Sequence, residues 1–330
     1  MSGRWRFTGA SRLLMVALLA LLLASCGGSS GSPTPSSPSP VQSVPNSRVL
    51  WGMFQEHYPP DYSEIAQTTS RLNHPTQVLH EFYSWRDDPN SRGGGGVRNF
   101  MSQTNNRGQI PLVTWEPWGT TDAAIASGAN DATIDSWAKV IAAQHREVWV
   151  RIFHEFNDPY DPTTRSGYPW GVAGGTQNKP EQMVAAWRHI HDRFRAVGAS
   201  NVKFVWTPDG VNMANNADLL RAAYPGDAYV DYTGWDTYGV YPNQDDYQVL
   251  TQVAPGKQAV IAEFGVTSAE LPALVGLSNS INGGQMPLVR AVVWFNQGRW
   301  ALPASSVTDP NISVVAALRS MLSGPAFQPT

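Results

Sequence analysis

Eight short apolar runs, most of them separated by a segment with helical spacing, constrain this chain more than anything else in it. The runs are Val49–Gln55, Gln77–Tyr83, Ile110–Trp115, Val148–Glu155, Val202–Thr207, Tyr229–Trp235, Ala259–Phe264 and Ala291–Phe295. Parallel strands need a crossover between each pair, usually a helix, and strands buried on both faces read as continuous apolar runs. The clearest helix has Met183, Trp187, Ile190, Phe194 and Val197 at steps of four and three. Pro180 opens it and Gly198 closes it, at the positions where those residues fit best. Eight such units over roughly 280 residues fit a closed α/β barrel of the (β/α)8 TIM type. A doubly wound sheet also alternates, but no Gly-rich phosphate turn follows the first run. One catalytic domain over residues 48–326 is therefore expected.

The chain begins differently. Arg4, Arg6 and Arg12 precede an apolar run, Leu13–Leu23, that is short for a bilayer span. It ends in Leu23-Ala24-Ser25-Cys26, which resembles a bacterial lipoprotein cleavage box, and Cys26 is the only cysteine in the chain. Residues 1–26 are thus expected to be a lipoprotein signal peptide, with Cys26 lipidated after cleavage. Residues 27–46 contain 15 Gly, Ser or Pro among 20, too little apolar surface to fold, so residues 27–47 read as a disordered tether. The expected location is extracytoplasmic, lipid-anchored to the cell membrane or secreted. The lipid anchor is the only membrane contact implied. Removing Arg4, Arg6 and Arg12 leaves 20 basic against 26 acidic residues, and no basic run remains to recruit nucleic acid. A monomer without cofactor or metal is expected.

Barrel enzymes place their chemistry at the C-terminal ends of the strands. The polar groups closing the runs are Gln55-Glu56-His57, Glu81, Glu116, His154-Glu155, Asp209, Asp236, Glu263 and Asn296. Hydrolysis of a glycosidic bond needs one carboxyl to protonate the leaving oxygen and a second to trap or stabilise the cationic sugar. Period-two alternation puts Arg151, Phe153 and Glu155 on one strand face, and Ala259, Ile261 and Glu263 on another. Glu263 sits in the almost wholly apolar Ile261-Ala262-Glu263-Phe264-Gly265, where a charge is costly without a purpose.

Arg151-Ile152-Phe153-His154-Glu155-Phe156-Asn157 resembles the acid/base strand of glycoside hydrolase family 26, with its R-x-x-H-E-x-N pattern. The resemblance continues through Tyr168-Pro169-Trp170-Gly171, Ala185-Ala186-Trp187-Arg188, Asn201 to Trp206 and Tyr224 to Asp231. It ends with Ile261 to Gly265, similar to the nucleophile strand, and Val293-Trp294-Phe295-Asn296, similar to the last barrel strand. It implies a retaining endo-acting hydrolase of a β-linked polysaccharide, with Glu155 as acid/base and Glu263 as nucleophile. It further implies that His154 contacts the sugar, that Trp206, Tyr238 and Trp294 form floor and clamps, and that Tyr238 hydrogen-bonds Glu263. Trp170 and Glu116 are added as subsite residues, and Arg151 as a cation able to steady a nearby carboxylate.

Family frequency puts mannan endo-1,4-β-mannosidase activity first, ahead of mixed-linkage endo-β-1,3-1,4-glucanase and β-1,3-xylan cleavage. Tyr168-Pro169-Trp170-Gly171 departs from the aromatic-rich mannanase version and looks closer to the glucanases. Asp209 stands where many members have asparagine. A non-catalytic barrel that only binds polysaccharide stays open, whereas a metal-dependent deacetylase or lyase lacks a ligand cluster. His80-Glu81 lacks the flanking pattern, and His189 and His191, two apart on a helix, face different ways. With 13 Trp, 11 Tyr and 11 Phe, most aromatics are expected in the core and a minority against sugar rings.

Overall fold

The computed structural model describes residues 48–328, apart from residues 57, 60, 92, 165, 212, 240–242 and 303–310. Cys26, the signal segment and the tether lie outside the described residues. Eight parallel strands close in chain order. They are β1 (Leu50–Gln55), β2 (Val78–Ser84), β3 (Ile110–Glu116), β4 (Val148–Ile152), β5 (Val202–Trp206), β6 (Tyr232–Tyr238), β7 (Ala259–Gly265) and β8 (Val289–Asn296). Pairing of Leu50 to Gln55 with Ala291 to Asn296 joins the last strand to the first. The crossovers carry helices α1 (Ser63–Leu72), α2 (Val97–Asn106), α3 (Asp122–Ala126), α4 (Asp131–Ala142), α5 (Pro180–Val197), α6 (Ala217–Ala223), α7 (Asn243–Val253) and α8 (Leu271–Asn282). Helix α9 (Ile312–Leu322) follows β8. This is the expected (β/α)8 TIM barrel.

Helix α5 shows how local sequence sets an element. Pro180 lies at its start, Gln182 Oε1 accepts from the Lys179 N–H at 2.9 Å, and Gly198 ends it at φ 86°. Its apolar stripe of Met183, Trp187, Ile190 and Phe194 is fully buried against the sheet. Among the described residues no helix is long and apolar enough to cross a membrane.

The barrel interior is layered. Val78, Leu112, Trp149, Val205, Val260, Ala262, Ala291 and Val293 form an inner apolar cluster. Gly52 of β1 lets the strands close over it: a Cβ there would stand 2.7 Å from Val78 Cβ and 2.8 Å from Val78 O. Above, toward the strand C-termini, the interior turns polar. His80 Nε2 and Arg151 Nε each lie 2.7 Å from Thr114 Oγ1. The outer core between sheet and helices takes most of the indoles, including the fully buried Trp51, Trp115, Trp187 and Trp235.

Two element ends differ from the sequence expectation. The sixth strand was expected at Tyr229–Trp235, but Tyr229 and Val230 belong to the connection, with Tyr229 O accepting from Trp187 Nε1 at 2.9 Å. The strand instead runs on through the polar Asp236 and Thr237 to Tyr238, because its end faces the site. The fourth strand stops at Ile152, three residues before Glu155.

Candidate active site

Glu155 is delivered by a break in β4. Phe153 and Glu155 have φ of 52° and 51°, a left-handed conformation that costs a non-glycine residue about 1–3 kcal/mol unless its surroundings hold it. The first excursion turns Phe153 out of the barrel, where it is fully buried in the outer core beside Trp187. The expectation that Arg151, Phe153 and Glu155 share a face is therefore corrected, since regular alternation ends at Ile152. The segment is pinned by its neighbours. The Glu155 N–H donates to Thr207 O at 3.0 Å, and Trp170 Nε1 donates to His154 O at 2.7 Å. Asn157 Nδ2 donates to Asp209 O at 2.9 Å, and Asp209 N donates to Asn157 Oδ1 at 2.7 Å.

Glu263 arrives by a different irregularity. Ala259 and Ile261 face the outer core, whereas Val260 and Ala262 face the interior. Strict alternation would send Glu263 outward with Ile261, so the shared face expected from periodicity is also corrected. A bulge intervenes: Trp235 pairs with Ile261 but Asp236 pairs with Glu263, leaving Ala262 as the extra residue. Bulges re-aim side chains in this way, and here the carboxyl turns into the barrel mouth.

Arg151 organises what meets there. It is fully buried, and Nη1 donates to Asp236 Oδ1 and Oδ2 at 2.7 and 2.6 Å. Nη2 donates to Glu263 Oε1, and the Tyr238 hydroxyl donates to Glu263 Oε2. Both oxygens of Glu263 thus accept, the pattern that suits a carboxylate. Glu155, Asp236 and Glu263 each bring an oxygen within 4.8 Å of the others. This acidic trio already holds its cation in the Arg151 guanidinium. Burial, then the charges of Asp209, Asp236 and Glu263, pushes the Glu155 carboxyl well above the usual range, which keeps its proton on. Asp236, whose two oxygens accept from Arg151, stands beside Glu155.

The aromatic shell is partly other than expected. His154 is buried, with its ring 4.5 Å from Tyr168 and 5.3 Å from Trp170. Neither of its ring nitrogens has a partner among the described residues. Burial and the nearby Arg151 hold it well below the usual histidine range, so it is neutral and able to bond a hydroxyl. Trp170 stacks on Tyr168 at 4.6 Å and backs it rather than facing the mouth. Glu116 accepts from Trp118 Nε1 at 3.0 Å, and burial pushes its carboxyl up to about 7. Tyr238 stacks on Trp300 at 4.2 Å. Trp206 and Trp294 are corrections: both are fully buried in the outer core, Trp206 against Phe156 and Tyr224, Trp294 against Phe264. Strand alternation sends their indoles toward the helices, and Phe295, the next residue, joins Phe54, Phe82 and Tyr238 instead. His80, set aside from sequence, stands 3.4 Å from Arg151 Nη2 in the supporting layer. Tyr168 and Phe295 stood only inside motifs and were given no site role, and Phe82 and Trp300 were not singled out beforehand. Asp236 stood only among the strand-end acids.

Residues 120–278 match the family model of Glycosyl hydrolase family 26. That span of the barrel is similar to glycosyl hydrolase family 26. Glu155 and Glu263 both fall inside the matched span, and β1 to β3 and β8 complete the barrel on either side of it. Endoglucanase H of Acetivibrio thermocellus is 31% identical over 294 residues, covering 82% of this chain. A mannan endo-1,4-beta-mannosidase of Bifidobacterium adolescentis is 25% identical over 122 residues, 37% of the chain. The chain spans only 30% and 12% of the lengths of these relatives. The modular endo-beta-1,4-mannanase from Cellulomonas fimi shares the fold with a TM-score of 0.62 at 17% identity, covering 86% of this chain and 73% of that one.

Proposed function

We propose that this family 26 barrel is a retaining endo-β-glycoside hydrolase, with Glu155 as acid/base and Glu263 as nucleophile. The observation that carries this reading is the pair itself. Oxygens of the two carboxyls lie within 4.8 Å at one barrel mouth, close to the roughly 5–5.5 Å of retaining enzymes and short of the 6.5–9.5 Å that inverting enzymes need for a water. Burial and neighbouring charge keep the Glu155 proton on, while both oxygens of Glu263 accept hydrogen bonds. In the first step Glu263 attacks the anomeric carbon while Glu155 gives its proton to the departing oxygen. In the second, Glu155 takes a proton from water, whose oxygen displaces Glu263.

A β-glucan backbone is the first substrate, mannan the second. Endoglucanase H covers far more of the chain than the mannosidase does, and Tyr168-Pro169-Trp170-Gly171 points the same way. The glucan reading thus moves ahead of the mannan activity that family frequency alone favours. Barley β-glucan, mannan and β-1,3-xylan incubated with purified protein decide the order by product analysis. Binding without hydrolysis of any of them would leave only a polysaccharide-binding barrel.

Asp209 offers a pH test. Burial pushes the Asp209 carboxyl up as well, so once it has ionised its charge is, after burial, the foremost influence keeping the Glu155 proton on. Removing a like charge favours the ionised form, so Asp209→Asn should lower the Glu155 pKa. The alkaline limb of kcat/KM then moves to lower pH. An unmoved limb would count against Glu155 as the acid.

The anchoring of Cys26 is a separate expectation. Cys26→Ser, expressed in a host that processes lipoproteins, should move the protein from the membrane fraction to the soluble one. Unchanged membrane association would remove the lipid anchor.

A further inference from the structure

All eight strands run parallel, so the barrel has two unlike ends. The mouth with Glu155 and Glu263 lies at the strand C-termini. At the other end lie the strand N-termini, the connections leading into them and the last turns of the helices. One side of that lower rim, from α9 through α1, α2 and α4 to α5, is basic. Arg71, Lys139, Arg195 and Arg319 stand in the last turns of α1, α4, α5 and α9. Arg107 follows α2, and Arg146 stands between α4 and β4.

The fold does not neutralise these charges. All but the partly buried Arg71 are exposed. None of them is in an ion pair among the described residues. Where they bond they use carbonyl oxygens: Arg107 Nη1 donates to Gln103 O at 2.9 Å, Arg195 Nη1 to Ala199 O at 3.4 Å, and Arg146 Nη1 to Asn105 O. In these turns and connections the one acid among the described residues is Glu147, whose Oε1 accepts from Trp149 Nε1 at 2.7 Å. A cation in a last turn complements the helix dipole, but that does not call for Arg107 and Arg146, which lie beyond the helix ends. The rest of the rim is balanced. Helices α7 and α8 end without a cation, Lys203 pairs with Asp231 at 3.2 Å, and Lys257 donates to the carbonyls of Asp227 and Val230.

The chain enters the barrel inside this basic arc. The Val49 N–H donates to Ala326 O at 2.8 Å, and Arg48 Nε donates to Phe327 O at 3.2 Å. A flexible stretch as long as residues 27–47 spans about 25 Å on average. Lipidation at Cys26 would therefore keep the arc within reach of the bilayer, where cations meet anionic headgroups at high effective concentration.

We propose that the basic arc docks the barrel on an anionic phospholipid bilayer, with the catalytic mouth turned outward to the polymer. The choice of a bilayer as the anionic surface rests on the Cys26 anchor proposed above, whereas the arc itself belongs to the barrel alone.

The test uses the full chain with Cys26→Ser as parent, so that no attached lipid contributes. Lys139→Glu/Arg319→Glu reverses two cations of the arc, and Lys179→Glu/Arg299→Glu makes the same change of net charge at the mouth end. Each protein is sedimented with vesicles of phosphatidylcholine, or of equal parts phosphatidylcholine and phosphatidylglycerol, at low and high salt. Arg4, Arg6 and Arg12 are common to every protein compared, so they cancel. The parent should bind the anionic vesicles, and less so as salt rises. The arc variant should bind them at least roughly tenfold more weakly, and the mouth-end variant within about twofold of the parent. Thermal unfolding checks the fold, and Lys139→Gln/Arg319→Gln, with an intermediate loss expected, stands in if the reversal unfolds early. Equal binding by parent and arc variant, or equal losses in the arc and mouth-end variants, would overturn the proposal. So would arc-dependent capture of soluble polyphosphate without binding to anionic vesicles. A Cys26→Ser chain that stays in the membrane fraction of its host removes the anchor, and the arc comparison still decides this inference.

Discussion

Glu263→Ala is expected to abolish turnover of every substrate, with a loss on the order of 10⁴–10⁶-fold, the scale seen when a covalent nucleophile is removed. Without its carboxylate no glycosyl-enzyme can form, whatever the leaving group. Glu155→Ala should behave otherwise. An activated aryl glycoside releases a phenolate of low pKa that needs little protonation, so the first step survives while water attack loses its base. A burst of phenolate followed by a slow phase is the expected signature. Azide needs no base, so it should restore turnover in Glu155→Ala and yield a β-glycosyl azide. In Glu263→Ala azide attacks the open face directly and yields the α-azide. Natural polysaccharide, with its poor leaving group, should be cut only slowly by Glu155→Ala as well. Equal losses on all substrates with no azide rescue in either variant would remove the two roles.

The barrel was legible because its signal is redundant. Eight apolar runs with helical segments between most of them leave few other folds, and an error of three residues at β6 does not change that count. The faces of the strands were much less legible. Strands of a parallel barrel are apolar on both sides, so Trp206 on β5 and Trp294 on β8 carry no local mark of which way they point. Motif resemblance put them in the mouth, and the register puts them in the outer core. Periodicity also fails where the chemistry lies. Glu155 follows a left-handed residue at Phe153, and Glu263 follows a bulge at Ala262. Alternation grouped Glu155 with Phe153 and Glu263 with Ile261, both of which face the outer core, so each glutamate reaches the mouth only through its irregularity. Asp236 was findable by charge balance. A buried Arg151 beside one glutamate needs further acceptors, and Asp236 closes the only strand-end candidate between Asp209 and Glu263. Tyr168 had no such signal, since its place depends on a long β4–α5 connection folding back over His154.

Arg151 is the residue whose loss should damage both fold and chemistry. It is fully buried between Asp236, Glu263 and Thr114. Arg151→Met fills similar space but leaves two carboxyl groups without their cation. Removing one partner of a buried ion pair costs about 3–5 kcal/mol. At roughly 2–4 °C per kcal/mol for a domain near this size, thermal unfolding should fall by on the order of 10 °C at neutral pH. The deficit should depend on pH, with a definite sign. Burial raises the Asp236 carboxyl and Arg151 opposes that rise, so without the guanidinium burial acts with less opposition. An acid whose folded pKa lies above its unfolded value loses stability as pH rises through the unfolded value, near about 4. The gap between Arg151→Met and wild type should therefore be widest at neutral pH and narrow toward pH 4. Arg151→Lys keeps the charge but not the planar fork that reaches Asp236 and Glu263 together, so it should recover much of the stability and little of the activity. Calorimetric scans of the three proteins at neutral and acidic pH, beside aryl glycoside kinetics, test this. A deficit in Arg151→Met that is the same at both pH values, or full activity in Arg151→Lys, would show that the guanidinium does not set the state of these carboxyls.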